Sequence, residues 1–514
     1  MMKTKILVFA VSIVSLIFHL KEVVMVRGRI FSFLFDLIAA LVASQASAQT
    51  AVMTLTANNS YRGRLRITMV ALLASLVALL PPAVPSAEAQ AALPAQLVLL
   101  GPAQQVIAGL YQGAGPNAST ALFLIHETAN FITATPCVEL NQRGFTALCA
   151  KSQYTQSAEV NWDQLALDVS YGVSYLRSLP GIQHVVLVGW SGGGAIMAWY
   201  QNVAENGLAA CQAPARLDPC GKNLAGLPPA DGVVLLDSIP GLAFSNMSAF
   251  DASVVKADGL TSHRKPSLDL FNPDNGYNLD PNQPSTYSRA FINRYTREQA
   301  DREADLVFAA QRIRQQIASG QGDFSDDMPF PVGHDAARIY TQDPSLLSHT
   351  KGQYPLITPT SPNGTVQVIN SVRVPSASVV PSTPQANGSW AGSGRSFTVN
   401  TFMSNSAINA PHYRLTADSI EGVDWSSSNT STVSNVAGIT VPLLIMSMTA
   451  HYWVVPSEMY YLAATNSTQK TLAYVFGATH VFTPCTVCGI PANQIGDTVA
   501  ETFNYVANWL QTVF

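Results

Sequence analysis

Apolar residues between positions 95 and 240 fall into short continuous runs that alternate with longer amphipathic segments. Runs of about four to eight apolar residues are typical of strands buried on both faces, whereas an apolar residue at every third or fourth position is typical of a helix. The predicted strands are Ala121 to His126, Phe145 to Ala150, His184 to Val188 and Gly232 to Leu236. The predicted helices are Phe131 to Arg143, Trp162 to Ser178 and a segment that starts with Gly194 to Tyr200. This alternation predicts an α/β fold in which helices flank a mostly parallel sheet.

The pattern changes in the middle of the chain and then resumes. From Pro240 to about Val436 the sequence is rich in Pro, Asn, Ser and Asp, with one clear helical segment at Arg297 to Ser319. Such a stretch is too long for a structureless loop, so it predicts a large inserted cap or lid. Beyond it, strands are predicted at Ile439 to Met446 and Thr471 to Phe476, and helices at Ser457 to Ala464 and Ile495 to Leu510.

Three apolar stretches lie near the start of the chain, and the third has the layout of an export signal. The basic segment Arg62 to Arg66 precedes an apolar core, and Ala87 and Ala89 supply a small-residue cleavage site before Gln90. We therefore predict a signal peptide from about residue 53, cleaved near 89/90, and a secreted or periplasmic protein. A second possible cleavage site of small residues lies at 46–48. Residues 1–52 therefore have two interpretations: a misassigned translation start or a membrane-anchoring extension.

These patterns divide the chain into four expected parts. They are a targeting region at 1–90, a first part of the core at 91–240, a cap or lid insertion at 241–436, and a second part of the core at 437–514.

Composition narrows the classes of function. Charged residues make up 12% of the chain and the net charge is -4, with no Lys/Arg-rich run beyond the N-terminal region, so we predict no nucleic-acid partner. The segments near the N-terminus are shorter than the ~20 residues that a spanning helix needs, so we expect no stable membrane association after signal cleavage.

Six cysteines, an even number, are typical of disulfides in an exported protein. The simplest of the possible pairings is local: Cys137 with Cys149, Cys211 with Cys220, and Cys485 with Cys488. The C-x-x-C spacing of the last pair is also found in redox and zinc sites. Because the sequence has no second C-x-x-C, we favour a structural pair and predict no metal and no cofactor.

Gly189-Trp190-Ser191-Gly192-Gly193 is a G-x-S-x-G motif that lies between a predicted strand and a predicted helix. A serine on such a sharp turn is held in a strained backbone conformation with its hydroxyl exposed, and its neighbours need small side chains. We interpret Ser191 as the candidate nucleophile.

Together with Gly477-Ala478-Thr479-His480, which follows the last predicted strand, this motif resembles the α/β-hydrolase fold of serine hydrolases in the esterase and lipase superfamily. The resemblance covers roughly residues 95 to 514 apart from the insertion. It implies that His480 is the general base, a role for which a neutral imidazole has a suitable pKa. The other candidate histidines are His126, His334, His349 and His451.

The resemblance also implies an oxyanion hole made of two backbone N–H groups. One comes from Gly192, and the other from the loop after the strand that ends at Ile125. In the family this loop often begins His-Gly, whereas here it reads His126-Glu127-Thr128. Glu127 or Thr128 would supply the second N–H group, and Thr128 is preferred.

The acid that orients the histidine is the least clearly marked member. Where the family usually places an aspartate, the sequence after the strand Ile439 to Met446 has none. Asp237, which ends the strand Gly232 to Leu236, is the favoured acid, and Glu458 is the second candidate. An acid within the insertion, such as Asp251, is the third.

Four aromatic residues lie close to these positions in the sequence: Trp190, Tyr452, Trp453 and Phe482. They suggest an apolar or aromatic substrate pocket, and ordinary core packing is the alternative for each of them.

The expected function is a secreted serine hydrolase that cleaves carboxylic esters, small-molecule or polymeric, through an acyl-enzyme. The same groups can attack an amide or an activated C–C bond of the diketone type, and the sequence does not separate these reactions. A non-catalytic binding protein with the α/β-hydrolase fold is the alternative from another class.

Overall fold

A ten-stranded sheet forms the centre of the computed structural model, which describes residues 96–154, 160–257, 262–280, 282–333, 337–375, 394–467 and 469–514. The predicted targeting region at 1–90 and the candidate His334 lie outside the described residues.

The strands have the following bounds: β1 Gln96–Leu100, β2 Val106–Tyr111, β3 Thr120–Leu124, β4 Thr146–Lys151, β5 His184–Trp190, β6 Gly232–Leu236, β7 Val254–Ala257, β8 Ser262–Arg264, β9 Pro329–Gly333, β10 His349–Thr358, β11 Ser361–Asn370, β12 Gly394–Thr398, β13 Arg414–Leu415, β14 Ile420–Glu421, β15 Leu443–Met448 and β16 Lys470–Val475.

The α-helices are α1 Thr135–Gln142, α2 Trp162–Ser178, α3 Gly192–Asn206, α4 Leu242–Met247, α5 Arg289–Ala318, α6 Ile339–Gln342, α7 Val399–Asn405, α8 Thr432–Asn435, α9 Val454–Ala463, α10 Ala492–Ile495 and α11 Thr498–Val513. Short 3-10 helices lie at Gly115–Ser119, Gly207–Ala210, Lys222–Leu224, Pro266–Leu268, Pro273–Asn275, Trp425–Ser427 and Val436–Gly438.

The strand order in the large sheet is β1-β2-β4-β3-β5-β6-β15-β16-β10-β11. From β4 to β10 every neighbouring pair is parallel, and the pairs at the two ends of the order are antiparallel. The strands β5, β6 and β15 lie side by side, so their carboxyl ends meet at one edge of the sheet. This edge carries the candidate site.

Side chains alternate between the two faces of each central strand and enter two separate cores. On β5, Val185 and Leu187 pack into one core while Val186 and Val188 pack into the other, and all four are fully buried. Burial of each such side chain contributes roughly 1.5–3 kcal/mol. Because both faces are covered, the central strands are continuous apolar runs, which is the pattern that the sequence predicts.

Helix α2 spans the predicted range, Trp162 to Ser178, because its first turn is well capped. The side chain of Asn161 accepts a hydrogen bond from the N–H of Gln164 at 2.9 Å. Helix α1 begins four residues later than predicted, at Thr135, with Pro136 in its first turn. Proline is well tolerated there since the N–H it lacks would have no partner within the helix.

The expectation that residues 241–436 form only an insertion is wrong for residues 349–370. These residues form β10 and β11, which extend the main sheet, and β10 pairs with β16 in parallel. The segment contains Pro, Gly and many polar residues, and most of β11 is solvent-exposed. Strands at the edge of a sheet lack the continuous apolar run of central strands, so the sequence pattern does not reveal them.

Much of the rest of this segment packs around the long helix α5 and has a small core of its own. Phe250, Val307 and Phe402 are among its buried residues, and they do not belong to either of the two cores that cover the sheet.

The three disulfides of the structure join Cys137 to Cys149, Cys211 to Cys220, and Cys485 to Cys488. This is the local pairing that the sequence predicts, and each bond closes a short loop. In the part of the chain that the structure describes, no helix combines the length and the apolar character needed to cross a bilayer.

The packing of α2 on β3 predicts that Gly172→Ala destabilises the protein. A Cβ at position 172 would lie 2.1 Å from the ring of Phe123, so the ring must shift. We expect a loss of about 1–3 kcal/mol in the free energy of unfolding, although Gly→Ala within a helix is favourable by about 1 kcal/mol on propensity alone. Urea unfolding measures the change. Ser174→Ala, at an exposed position of the same helix, is the control and should be neutral or slightly stabilising. A stabilised Gly172→Ala variant would contradict this packing.

Candidate active site

Ser191 lies on the sharp turn between β5 and α3, in a backbone conformation that non-glycine residues rarely adopt. Its φ is 59° and its ψ is -127°. The neighbouring strand holds it there, because the N–H of Ser191 donates to the carbonyl of Leu236 and the N–H of Ile239 donates to the carbonyl of Ser191, both at 3.1 Å. Strain of this kind costs about 1–3 kcal/mol and persists where the surroundings fix the backbone, as they do here.

His480 links Ser191 to Asp237 through both of its ring nitrogens. Its Nε2 atom is 3.0 Å from Ser191 Oγ, and its Nδ1 atom is 2.6 Å from Asp237 Oδ2. The carboxylate can only accept, so the proton lies on Nδ1 and Nε2 is free to accept the serine hydroxyl. Of the two main acid candidates, the structure brings Asp237 to this histidine.

The carboxylate of Asp237 is fully buried at the end of β6, and the adjacent strand supplies further donors to it. Its Oδ1 atom accepts hydrogen bonds from Ser447 Oγ at 3.0 Å and from the N–H of Met448 at 3.2 Å. Burial raises the pKa of Asp237, but His451 and His480 outweigh that effect and hold the pKa below its usual value. The carboxylate is therefore an anion at neutral pH.

His451 contacts the same carboxylate oxygen as His480. Its Nδ1 atom also lies 2.6 Å from Asp237 Oδ2, although the N–H direction is off the axis of a good hydrogen bond. The rings of His451 and His480 stack with their centroids 4.3 Å apart. Burial lowers the pKa of His451 to about 4, even though the charge of Asp237 opposes the shift. His451 is neutral at pH 7.

Trp190 fixes the position of His480 from the turn that carries the serine. Its indole N–H donates to the backbone carbonyl of His480 at 2.9 Å, and its ring packs against Phe131 and Phe482. The residue before Ser191 therefore connects directly to the loop of His480.

Glu458 lies elsewhere, so its candidacy as the acid is wrong. Its two carboxylate oxygens accept hydrogen bonds from the N–H groups of Lys351 and Gly352, at 2.9 and 2.7 Å. Glu458 thus satisfies two backbone N–H groups near the start of β10, where its pairing with β11 is irregular. Asp251 is likewise engaged locally, since its Oδ1 accepts from the N–H and the hydroxyl of Ser253.

The remaining candidate histidines have other surroundings. His349 belongs to β10, where its Nδ1 atom lies 3.2 Å from the carbonyl of Thr350. His126 lines the pocket beside Ser191, as described below.

The preferred oxyanion donor, the N–H of Thr128, is engaged with another partner. It donates to His126 Nδ1 at 3.1 Å, and the N–H of Ala129 donates to the same atom at 3.0 Å. As Nδ1 accepts these bonds it carries no proton, and burial lowers the pKa of His126, so the ring is neutral. The preference for Thr128 is therefore wrong for this structure, and Glu127 is the other candidate of the two.

The side chain of Glu127 packs against the turn after the serine. A Cβ built on Gly192 would lie 1.9 Å from Glu127 Oε1, so a larger residue at this position would require the carboxylate of Glu127 to move. The carboxylate is buried, and its Oε2 atom lies 3.1 Å from His126 Nδ1. Because His126 is neutral, this contact is not an ion pair.

A pocket of about 440 Å³ opens beside Ser191 and His480. Its other lining residues are His126, Ala129, Asn130, Phe131, Thr133, Ala134, Thr135, Trp190 and Val481. Of the four aromatic residues predicted for the pocket, Trp190 is in this lining. Trp453 and Phe482 are buried in the cores, and Tyr452 packs against His451 and Tyr340. An aromatic residue near a motif can line a pocket or pack in a core, and the folded structure shows which of the two each residue does.

Asp237, His451 and His480 are also the group of potential metal ligands in the described residues, with their ligand atoms within 4.8 Å of one another. The contacts of 2.6 Å between each Nδ1 and Oδ2 have the length of hydrogen bonds. Ligands that share a zinc ion at about 2.0–2.2 Å in a tetrahedral site lie farther apart. The geometry is that of an acid hydrogen-bonded to His480, with the ring of His451 in close contact with the same oxygen.

Comparisons with known proteins give structural likeness alone. No known family model and no curated protein sequence matches this chain. It is similar to the siderophore hydrolase EstB from Aspergillus fumigatus, with 12% identity and a TM-score of 0.38, over 83% of this chain and 98% of that one. It is also similar to DcsB, solved with a substrate analogue, at 11% identity and a TM-score of 0.36, over 82% and 99%. Est1E from Butyrivibrio proteoclasticus is 10% identical, with a TM-score of 0.34, over 81% and 98%.

The fold is defined by the described structure itself. The mostly parallel sheet, the serine turn after β5 and the histidine loop after β16 form the α/β-hydrolase fold, as the sequence resemblance predicts.

The environment of His451 predicts that this residue contributes a loss of stability as the pH falls from about 6.5 to about 4. In this range His451 stays neutral in the folded state and takes up a proton in the unfolded state. At this residue the unfolded state then binds more protons, so the contribution of His451 to the free energy of unfolding decreases with decreasing pH. Urea unfolding at pH 7, 5 and 4 measures this slope.

His451→Phe should reduce the slope because it removes the group that titrates. His412→Phe, at an exposed position, should keep it. Equal slopes for the wild type and His451→Phe would show that another group is responsible.

Proposed function

We propose that the protein is a secreted serine hydrolase that cleaves carboxylic esters through an acyl-enzyme. The observation that carries this proposal is the continuous path from Ser191 Oγ through both nitrogens of His480 to the buried carboxylate of Asp237, with distances of 3.0 and 2.6 Å. These are the relations that a serine nucleophile, its base and the orienting acid require.

In the proposed first half-reaction, His480 Nε2 accepts the proton of Ser191 as Oγ attacks the ester carbonyl carbon. The new C–O bond converts the carbonyl oxygen into an oxyanion. Asp237 stabilises the imidazolium that forms. When the C–O bond to the leaving alcohol breaks, the alcohol oxygen takes the proton from Nε2 and the acyl group remains on Ser191. Water then repeats the sequence, with His480 as its base, and releases the acid.

The oxyanion requires donors that are in place before the reaction. The N–H of Gly192 is in the first turn of α3, where N–H groups lack partners within the helix. We assign the second donor to the N–H of Glu127, because that of Thr128 is engaged by His126. One such donor contributes roughly 2.7–4 kcal/mol to stabilisation of the transition state.

The pocket supports a small-molecule ester as substrate. Its volume of about 440 Å³ is within the range of small-molecule sites, and Phe131, Trp190 and Val481 give it apolar walls. The three disulfides support export, since such bonds persist in oxidising compartments.

Fluorophosphonate labelling tests the proposal directly. The probe forms a covalent bond with a serine that a neighbouring base activates, so we expect wild-type protein to be labelled at Ser191. Ser191→Ala should abolish labelling, and His480→Ala should reduce it by at least about a hundredfold. Circular dichroism of each variant is the folding control. A folded, disulfide-bonded wild type that does not label would favour the binding-protein alternative.

The assignment of the acid predicts a large difference between two carboxylate-to-amide variants. Asp237→Asn should lower kcat by about 10⁴-fold, because an amide donor opposite Nδ1 favours the wrong tautomer of His480. Glu458→Gln is the matched control and should keep kcat within about threefold once the rate is normalised to the fraction of protein that labels. Hydrolysis of p-nitrophenyl esters measures both. An equal loss in the two variants would refute Asp237 as the acid.

A further inference from the structure

The proposed reaction gives no role to His451, the second histidine that contacts the carboxylate of Asp237. His451 is in the loop after β15, which is where the resemblance leads one to expect an aspartate, and Asp237 is at the end of the adjacent strand β6. This loop has no acid, and its His451 instead contacts the carboxylate of Asp237.

We propose that His451 is a positioning residue that donates a hydrogen bond from Nδ1–H to Asp237 Oδ2 and so tunes the base strength of the Asp237–His480 pair. This inference rests on the proposed hydrolase function. Its geometric basis is the 2.6 Å separation of Nδ1 from Oδ2 and the stacking of the two imidazole rings.

The short contact with Asp237 favours one tautomer of His451. A carboxylate oxygen has only lone pairs, so an unprotonated Nδ1 at 2.6 Å would be repelled by it. The contact is favourable only when Nδ1 carries the proton. In the structure this N–H lies off the axis of a good hydrogen bond, so the proposed bond requires a rotation of the ring. Asp237 then has two donors on each oxygen: Ser447 and Met448 on Oδ1, and the two histidines on Oδ2.

Burial favours the neutral form of His451, His480 and Arg373 reinforce this effect, and the charge of Asp237 opposes it. Asp237 faces it from β6 and His480 from the loop after β16. Arg373, which follows β11, donates to the carbonyls of Leu347 and Tyr340 and opposes a second positive charge nearby. Tyr452 of its own loop lies with its ring centroid 3.8 Å away. A neutral donor stabilises the carboxylate without replacing His480 as its ionic partner.

This role has a consequence for the reaction. A carboxylate that accepts an additional hydrogen bond is a weaker base, so it binds the protonated form of His480 less tightly. The donor therefore makes the Asp237–His480 pair bind a proton less tightly than the same pair would without it. Loss of the donor should move the acidic limb of the pH profile of kcat/KM upward.

The first measurement is the tautomer of His451 in protein labelled with ¹⁵N-histidine, which does not depend on activity. We expect Nδ1 to carry the proton at pH 7. A His451 with the proton on Nε2 alone would overturn the proposal whatever the catalytic results.

The second measurement compares the pH profiles of kcat/KM for the wild type, His451→Phe, His451→Asn and His412→Phe. Phenylalanine keeps the stacked ring and removes the donor, so we expect the acidic limb to rise by about one pH unit, a tenfold loss at low pH with the alkaline plateau largely kept. Asparagine can place an N–H near the Nδ1 position and should keep most of the wild-type profile. The exposed His412→Phe should not change it.

The outcomes separate this inference from the function on which it rests. A wild type that labels and turns over, with an unshifted limb in His451→Phe, would overturn the tuning role and leave the hydrolase function standing. An equal loss of kcat/KM at every pH would also overturn it, because that result indicates a packing role. A wild type without labelling or turnover would refute the proposed function, while the tautomer of His451 would still test the hydrogen bond. If His451→Phe does not fold, His451→Asn and the tautomer decide.

Discussion

The buried carboxylate of Asp237 is the interaction on which the site and much of its surroundings depend. An isolated charge with no solvent contact is very unfavourable, so it persists only where the protein supplies donors and opposite charge. Ser447 and Met448 provide two donors from the end of β15, and the histidine loops provide the others. Because β6 and β15 are paired in parallel, the register of the sheet determines whether these groups meet. The fold and the candidate chemistry are therefore coupled at one residue.

The serine turn depends on the same pair of strands. The N–H of Ser191 donates to the carbonyl of Leu236, which is the last residue of β6 before Asp237. The strained backbone of the serine and the acid are thus held by adjacent peptide groups. Trp190, one residue earlier, extends this rigid unit to the carbonyl of His480. All three members of the path are fixed by short connections, which limits the reorganisation that a reaction would need.

The sequence predicts best those features that depend on local pattern. The buried strands, the helix from Trp162 to Ser178 and the serine turn each have a periodicity or a motif that only one local structure satisfies. The position of Asp237 at a strand end is also readable, because carboxyl ends of neighbouring parallel strands meet at one edge. The last two strands of the sheet, β10 and β11, cannot be predicted in this way, because they lack a long apolar run and most of β11 is exposed, which leaves them similar to loop sequence.

Features that depend on contacts between distant segments are the ones that sequence reasoning misses. The choice between Thr128 and Glu127 depends on whether the ring of His126 turns back onto its own loop, which is a matter of rotamer and packing. Trp453 and Phe482 belong to the cores for a similar reason, because an aromatic residue near a motif is equally suited to packing and to binding. His451 could be recognised as a candidate histidine, but its contact with Asp237 requires the pairing of β6 with β15.

The geometry of a parallel sheet explains why an acid can be carried by the loop after β6 instead of the loop after β15. The loop after β6 and the loop after β15 leave the same edge, and His480 approaches that edge from the next strand, β16. An acid on either loop is then within reach of the imidazole, so its position along the chain is less constrained than its position in space. In this protein the carboxylate that contacts His480 is that of Asp237, directly after β6, and the loop after β15 carries a different group. The group found there, His451, contacts the same oxygen that His480 uses. The residues at this edge are therefore constrained by the buried carboxylate of Asp237, which needs donors around it. The loops that carry His451 and His480 both bring groups to it.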